Sequence, residues 1–130
     1  MKEIDGYNRE QIWNIRDLNL TKHLDIPIAI LINNYSASAS EVLAGALQDY
    51  KRAVIVGEKS FGKGSVGLMR PLSNGGGISM TIAKWYTPNG NIIHELGVSP
   101  DVLIPSQDPS DTTGVQTDGV KDYIRKNILN

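Results

Sequence analysis

The order of apolar and polar positions divides the first half of the chain into strand-like and helix-like segments. Continuous apolar runs at 28–32 and 53–57 are each bounded by turn residues. Such runs are typical of strands covered on both faces, as in a parallel sheet. Between them, apolar residues at helical spacing predict a helix whose apolar face consists of Val42, Leu43, Ala46, Leu47 and Tyr50. Strand, helix and strand in this order predict a βαβ unit and an α/β fold.

The second half of the chain has a different pattern. Residues 66–72 and 78–83 alternate with period two around a glycine-rich turn, which predicts a β-hairpin. A short last strand is predicted at 102–104, and the polar residues at 106–116 are typical of a linker. A terminal helix is predicted from the spacing of Val120, Tyr123, Ile124 and Ile128.

These patterns predict three regions. Residues 1–26 have no clear period and form an N-terminal segment of uncertain structure, for which a short strand and a loop are one possibility. Residues 27–105 contain the predicted strands and the first helix. Residues 106–130 form the linker and the C-terminal helix.

Composition and charge narrow the range of functions. A chain of 130 residues without cysteine fits one domain and excludes disulfide frameworks, thiol nucleophiles and cysteine-ligated metals. The 13 basic residues nearly balance the 14 acidic ones, so we expect no nucleic-acid partner. No apolar run approaches the roughly 18 residues of a membrane span, and the first residues lack the apolar stretch of a signal peptide. No histidine, aspartate or glutamate spacing indicates a zinc site, so no cofactor is expected.

Ser38 lies at the predicted turn between the first strand and the helix, where two roles compete. Ser38-x-x-Glu41 before an apolar helical run is a capping box, so the serine could serve only to cap the helix. A helix N-terminus also presents free N–H groups and a positive dipole end, which stabilise an oxyanion beside a nucleophile. Because capping is so common, the residues alone favour the structural role.

Lys63 lies between two glycines in the loop after the second strand. A desolvated lysine can act as a general base, whereas a solvated loop lysine is the ordinary case. Gly57-x-x-x-x-Gly62-Lys63 approaches a phosphate-binding loop, but Gly64 occupies the Ser/Thr position and a strand pattern follows. Ser60-x-x-Lys63 has the spacing of penicillin-recognising enzymes, but the glycines oppose the helix that this motif requires. We therefore reject both motifs.

Several segments, in order, resemble one family. Residues 35–50, YSASASEVLAGALQDY, resemble the nucleophile segment of the C-terminal processing peptidases, also called tail-specific proteases (peptidase family S41). Residues 57–66, GEKSFGKGSV, resemble the general-base segment, and residues 85–90 and 97–101 resemble the end of the catalytic domain. The resemblance covers about residues 26–105. It implies a partial catalytic domain with a βαβ core like the ClpP/crotonase-like core of these proteases.

The resemblance implies a serine–lysine dyad. It assigns the nucleophile to Ser38, the general base to Lys63 and one oxyanion donor to the backbone N–H of Ala39. Neutral Lys63 would take the proton of Ser38 Oγ, and the serine would attack a peptide carbonyl to form an acyl-enzyme. Neither a metal nor another cofactor takes part. The implied substrate is a protein or peptide with an unstructured C-terminus, cut near that end.

Three features depart from the family pattern or need a separate explanation. Many members carry a glutamine four residues after the lysine, where this chain has Gly67. The family's upstream glycine-rich oxyanion segment and its PDZ domain have no counterpart in this sequence. Asp49 matches an acidic position of the family, but a regular helix would separate it from Ser38 by about 16 Å. We therefore expect Asp49 to pair with Lys51 or Arg52.

Two functions of different classes follow from these observations. The first is a serine endopeptidase, represented here by part of its catalytic domain. The alternative is a catalytically inactive remnant that binds a peptide or a partner protein. Open sheet edges, expected of a partial domain, predict a homo-oligomer. By resemblance, the parent protein is expected to be exported to the periplasm or cell envelope.

Overall fold

The computed structural model describes residues 1–14, 26–106 and 115–128. These residues form two sheets and two helices, a mixed α/β arrangement as expected. In chain order, the elements are β1 (Lys2–Asp5), β2 (Glu10–Ile12), β3 (Ala29–Ile32), α1 (Ala39–Asp49), β4 (Val54–Gly57), β5 (Ser65–Pro71), β6 (Gly77–Tyr86), β7 (Val102–Leu103) and α2 (Val115–Asn127). One sheet has the strand order β2-β1-β6-β5 and the other β3-β4-β7.

The predicted βαβ unit is confirmed. Strands β3 and β4 are parallel, with Ala29 opposite Val54, and α1 connects them. Strand β7 pairs with the other edge of β4, also in parallel. Because β4 lies at the centre of the sheet, Ile55 and Val56 are completely buried. The main core cluster consists of Ile32, Ala44, Ala53, Ile55 and Val98.

The prediction that both sheet strands are covered on both faces is wrong for β3. Leu31 is 36% exposed, whereas Ile32, which follows it, is 2% exposed. Among the described residues, β3 is the edge strand of its sheet and has a strand neighbour on one side only. Ala29 and Ile30 are half-buried, so the strand is covered unevenly along its length.

The predicted apolar face of α1 is confirmed for Leu47, which packs against the core cluster, but it is wrong for Leu43 and Tyr50. Leu43 and Tyr50 are 57% and 65% exposed, while the buried residues of the helix are Glu41, Ala44 and Gly45. The helix packs through small residues because its neighbours approach closely. A Cβ atom on Gly45 would lie only 2.9 Å from Thr87 Cγ2. Hydrophobic periodicity identified the helix correctly but only part of the side on which it packs.

The predicted hairpin is confirmed in β5 and β6. These strands pair antiparallel from Ser65 and Lys84 to Pro71 and Gly77, with an irregularity between Val66 and Gly67. Strand β6 also pairs with β1, and β1 with β2, so the N-terminal segment contributes two strands to this sheet. One hairpin face carries apolar side chains that are 40–46% exposed, namely Leu68, Ile78, Met80 and Ile82.

The terminal helix is confirmed as α2, which contacts β3 and β4. Its Val120 is 6% exposed and anchors the helix to the rest of the chain. Of the predicted linker, residues 107–114 lie outside the described residues. In the part of the chain that the structure describes, neither helix is long and apolar enough to cross a membrane.

Candidate active site

Ser38 lies at the turn from β3 to α1 and is the N-cap residue of the helix. Its φ of 60° and ψ of −118° lie outside the β region that N-cap residues ordinarily adopt. A non-glycine residue in such a sparsely populated region costs about 1–3 kcal/mol. A serine in a strained strand-to-helix turn presents its Oγ outward, as in the nucleophile elbow of α/β-hydrolases. Capping alone does not explain this backbone conformation.

Glu41 connects the turn of Ser38 to the loop of Lys63. Its Oε2 accepts hydrogen bonds from the backbone N–H groups of Ser38 and Lys63, each at 2.8 Å. Its Oε1 accepts the hydroxyl of Ser60 and the N–H of Gly62, each at 2.6 Å. The residue is completely buried. Because the Ser38 and Lys63 nitrogens share one oxygen, they can be no farther apart than twice 2.8 Å.

Further backbone contacts hold the loop of Lys63. The N–H of Phe61 donates to the carbonyl of Ser36 at 2.9 Å, and the N–H of Glu95 donates to the carbonyl of Gly62 at 2.8 Å. Gly62 has a φ of 95°, a conformation that favours glycine. The backbones of the two residues assigned to the dyad are therefore held together, while Ser38 and Lys63 are themselves exposed.

The backbone N–H of Ala39 faces no acceptor within the described residues. The next three N–H groups of the helix start all have partners. Those of Ser40, Glu41 and Val42 donate to the carbonyls of Ala37 and Ser38. The first N–H groups of a helix lack intrahelical acceptors, so that of Ala39 is available to a substrate oxygen.

The structure explains Ser60 without any catalytic role. Its hydroxyl donates to Glu41 and accepts the N–H of Val98 at 2.7 Å, and the residue is 7% exposed. Lys63 leads into β5, a strand, so neither the phosphate loop nor the Ser-x-x-Lys motif has the helix it requires. Across the described ranges, no three His, Asp or Glu side chains lie together in a group that could hold a metal ion.

Asp49 has a different partner from the expected one. Its Oδ2 accepts the backbone N–H of Asn89 at 2.7 Å. The carboxylate therefore connects the last residue of α1 to the turn after β6, forty residues away in the sequence. We expected Asp49 to pair with Lys51 or Arg52 because these residues are close to it in the sequence. Proximity in the sequence does not reveal a long-range contact such as the one with Asn89.

Sequence reasoning missed the principal role of Glu41. The Ser-x-x-Glu pattern indicated a contact with the N-cap residue, and the bond to Ser38 N–H is present. It gave no indication that the same carboxylate reaches three groups in the loop about twenty residues later. Gly67 lies at the irregular position of β5, and a Cβ atom there would meet no other heavy atom within 4 Å.

Comparisons with known proteins agree with the motifs. The model of peptidase family S41 matches residues 2–104. The carboxy-terminal-processing protease of Bartonella bacilliformis is 49% identical over 88 residues, which are 68% of this chain and 20% of that protein. The carboxyl-terminal-processing protease of Synechocystis is 52% identical over 80 residues, which are 62% of this chain and 19% of that protein. The chain spans about one fifth of the length of these curated relatives.

Solved structures give the same result. The photosystem II D1 C-terminal processing protease matches with a TM-score of 0.60 and 49% identity, over 62% of this chain and 21% of that one. Mature CPAF matches with a TM-score of 0.57 and 26% identity, over 77% of this chain and 19% of that one. The family model covers most of the sequence, and both the curated relatives and the solved structures agree with it. The chain therefore belongs to peptidase family S41.

Proposed function

We propose that this chain carries the serine–lysine dyad of a C-terminal processing endopeptidase, with Ser38 as nucleophile and Lys63 as general base. The observation that carries the proposal is the Glu41 carboxylate. It accepts the backbone N–H groups of both residues and holds their segments side by side. The strained turn at Ser38 and the family membership support the same assignment. We infer a core like that of the ClpP/crotonase group.

The proposed reaction uses only groups of the chain, the substrate and water. Neutral Lys63 Nζ accepts the proton of Ser38 Oγ while this oxygen forms a bond to the carbonyl carbon of the substrate. The N–H of Ala39 stabilises the negative carbonyl oxygen. The lysinium then protonates the leaving amine, and the peptide C–N bond breaks. Water hydrolyses the resulting ester and regenerates both residues.

Covalent labelling tests the dyad. A fluorophosphonate should modify Ser38, and Lys63→Ala should slow this labelling by roughly 10²–10⁴-fold, as expected for the loss of a general base. Peptide mapping by mass spectrometry identifies the modified serine. The controls are Lys59→Ala and Ser40→Ala, which change exposed neighbours of the same residue types. Equal labelling of the wild-type chain and Lys63→Ala would eliminate the dyad.

One observation favours the alternative, an inactive peptide-binding remnant. Gly67 supplies no side chain where many family members carry a glutamine that orients the base. In this alternative, a peptide binds, but Ser38 reacts with the fluorophosphonate no faster than Ser40 does. Peptidase assays on the chain and on the parent protein distinguish the two, since only the dyad gives activity that depends on Lys63.

We also propose that residues 27–105 form part of the catalytic domain. The proposed substrate is a polypeptide with an unstructured C-terminus, and the proposed site of action is the periplasm or cell envelope. The relative from Tetradesmus obliquus is named a chloroplastic C-terminal processing peptidase. Fractionation of cells that express the parent protein tests the location.

Finally, we propose self-association through the outer edge of β5, which has no strand partner among the described residues.

A further inference from the structure

Two turns in the second half of the chain carry the same exposed Asn–Gly pair. Asn74–Gly75 lies at the tip of the β5–β6 hairpin, and Asn89–Gly90 lies in the turn after β6. In each turn the glycine N–H donates to the carbonyl three residues earlier, that of Leu72 at 3.1 Å or that of Thr87 at 2.9 Å. The two glycines also have a similar positive φ, 83° and 89°. Both pairs therefore start from matching backbone conformations.

An Asn–Gly pair can modify itself, because glycine has no Cβ that would hinder attack by its nitrogen on the preceding side chain. At Asn74, the Gly75 nitrogen forms a bond to Cγ, the bond from Cγ to Nδ2 breaks, and the amide proton leaves with Nδ2 as ammonia. Water then opens the cyclic imide at either carbonyl. The product is an aspartate or an isoaspartate, whose backbone runs through the side chain, and each adds one negative charge.

The attack requires the turn to open, because the glycine nitrogen is held by its hydrogen bond in both turns. The rate at each pair therefore depends on how often its turn opens locally. Residues 71–80 at the hairpin tip are all exposed. The hydrogen bonds that close this tip have neutral acceptors, namely the carbonyls of Leu72 and Gly76 and the side-chain oxygen of Asn74. This turn is the easier of the two to open.

The turn of Asn89 has an additional, charged partner. The N–H of Asn89 donates to Asp49 Oδ2 at 2.7 Å. Thr87, which begins the turn, is 5% exposed, and its hydroxyl accepts the N–H of Asn91 at 3.2 Å. A hydrogen bond to a charged group is strong enough to make opening roughly ten- to a hundredfold rarer. The tertiary contact with α1 thus separates two pairs that are identical in the sequence.

We propose that Asn74 is a site of spontaneous deamidation in this chain and that Asp49 protects Asn89 from the same reaction. Deamidation at the hairpin tip leaves the contacts of α1 intact. Deamidation at Asn89 would add a carboxylate beside the N–H that holds Asp49, and like charges repel. The proposal is independent of the proposed peptidase function.

Peptide mapping measures both reactions in one sample. The purified chain is incubated in mildly alkaline buffer, digested at acidic pH and analysed by mass spectrometry with separation of the aspartate and isoaspartate products. We expect Asn74 to react at least about tenfold faster than Asn89. In guanidinium chloride the two rates should converge, because both turns are then open. Equal rates in the native chain, or a ratio that the denaturant leaves unchanged, would overturn the proposal.

Variants at position 49 test the protection. In Asp49→Ala, the rate at Asn89 should rise roughly ten- to a hundredfold, while the rate at Asn74 serves as the internal reference. Asp49→Asn keeps an acceptor oxygen without the charge and should give an intermediate rate, which decides the point even if the alanine variant does not fold. The matched control is Asp118→Ala, because the Asp118 side chain is 75% exposed on α2 and should affect neither rate. An unchanged rate at Asn89 in the folded position-49 variants would contradict the protection.

Discussion

The Glu41 carboxylate accepts hydrogen bonds from four groups on two segments that are about twenty residues apart in the sequence. Each carboxylate oxygen accepts two hydrogen bonds. Hydrogen bonds to charged groups contribute about 1.5–3 kcal/mol each. At the scale of single residues, the relative position of Ser38 and Lys63 therefore depends on a side chain that takes no part in the proposed chemistry.

The Glu41→Gln substitution tests this dependence. Glutamine has nearly the same shape, but its NH₂ group would face two of the donors that now point at a carboxylate oxygen. We expect the free energy of unfolding to fall by about 2–4 kcal/mol. Urea denaturation followed by circular dichroism measures this loss.

The matched control is Glu95→Gln, because the Glu95 side chain is 83% exposed. This variant should unfold within about 0.5 kcal/mol of the wild type. If the Glu41→Gln variant were as stable as the Glu95→Gln variant, the four hydrogen bonds would not hold the site together. A loss of Ser38 labelling in folded Glu41→Gln would further identify Glu41 as a positioning residue.

At the scale of elements, α1 is connected at both ends to distant parts of the chain. Glu41 in its first turn bonds to the loop after β4, and Asp49 at its end bonds to the turn after β6. The loop after β4 in turn contacts the segment at 93–97. Lys63 lies between two close approaches of backbone to backbone, at Gly62 and Gly64. These contacts explain why glycines flank Lys63.

The Gly64→Ala substitution tests the close approach. The added Cβ would collide with the backbone nitrogen of His94 and press on the Ile93 backbone. Since both are main-chain atoms, relief requires the loop to move, and we expect a loss of roughly 1–3 kcal/mol in unfolding free energy. Gly67→Ala is the control, because a Cβ there meets no other heavy atom within 4 Å. Equal stability of the two variants, measured by thermal unfolding, would show that the approach at Gly64 is not restrictive.

At the scale of the whole molecule, the two sheets differ in how completely they are covered. The centre of the β3-β4-β7 sheet is buried under α1, whereas the β5–β6 hairpin exposes apolar side chains on one face. In the part of the chain that the structure describes, β5 also ends its sheet, and an unpaired strand edge beside an apolar face favours association between chains.

We therefore predict a concentration-dependent oligomer that forms through β5. Leu68→Lys adds a charge to the apolar face and should shift the equilibrium towards monomer. Met69→Lys adds the same charge to the opposite face of the strand, where its partner is Ser79, and should shift the equilibrium less. Sedimentation velocity measures both effects. A wild-type chain that sediments as a monomer at high concentration would contradict the prediction.

The local pattern of apolar residues predicted the strands correctly but not all of the residues that are buried. The apolar runs and the alternation around 73–77 predicted β3, β4 and the hairpin, because hydrophobic period reflects local backbone geometry. The same reasoning selected Leu43 and Tyr50 for a buried face that the structure builds from Ala44 and Gly45. Helical spacing identifies possible faces, but the neighbours of the helix decide which one packs.

The sequence by itself determined the order of elements from β3 onwards, the family resemblance and the choice of Ser38 and Lys63 as candidates. These conclusions rest on local period and on motifs contiguous along the chain. Only the tertiary structure decided that Glu41 connects the two candidate segments, that Asp49 holds the turn at Asn89, and that Phe61 faces solvent beside them. Each of these depends on contacts between segments that are distant in the sequence, because a hydrogen-bond partner is determined by proximity in space.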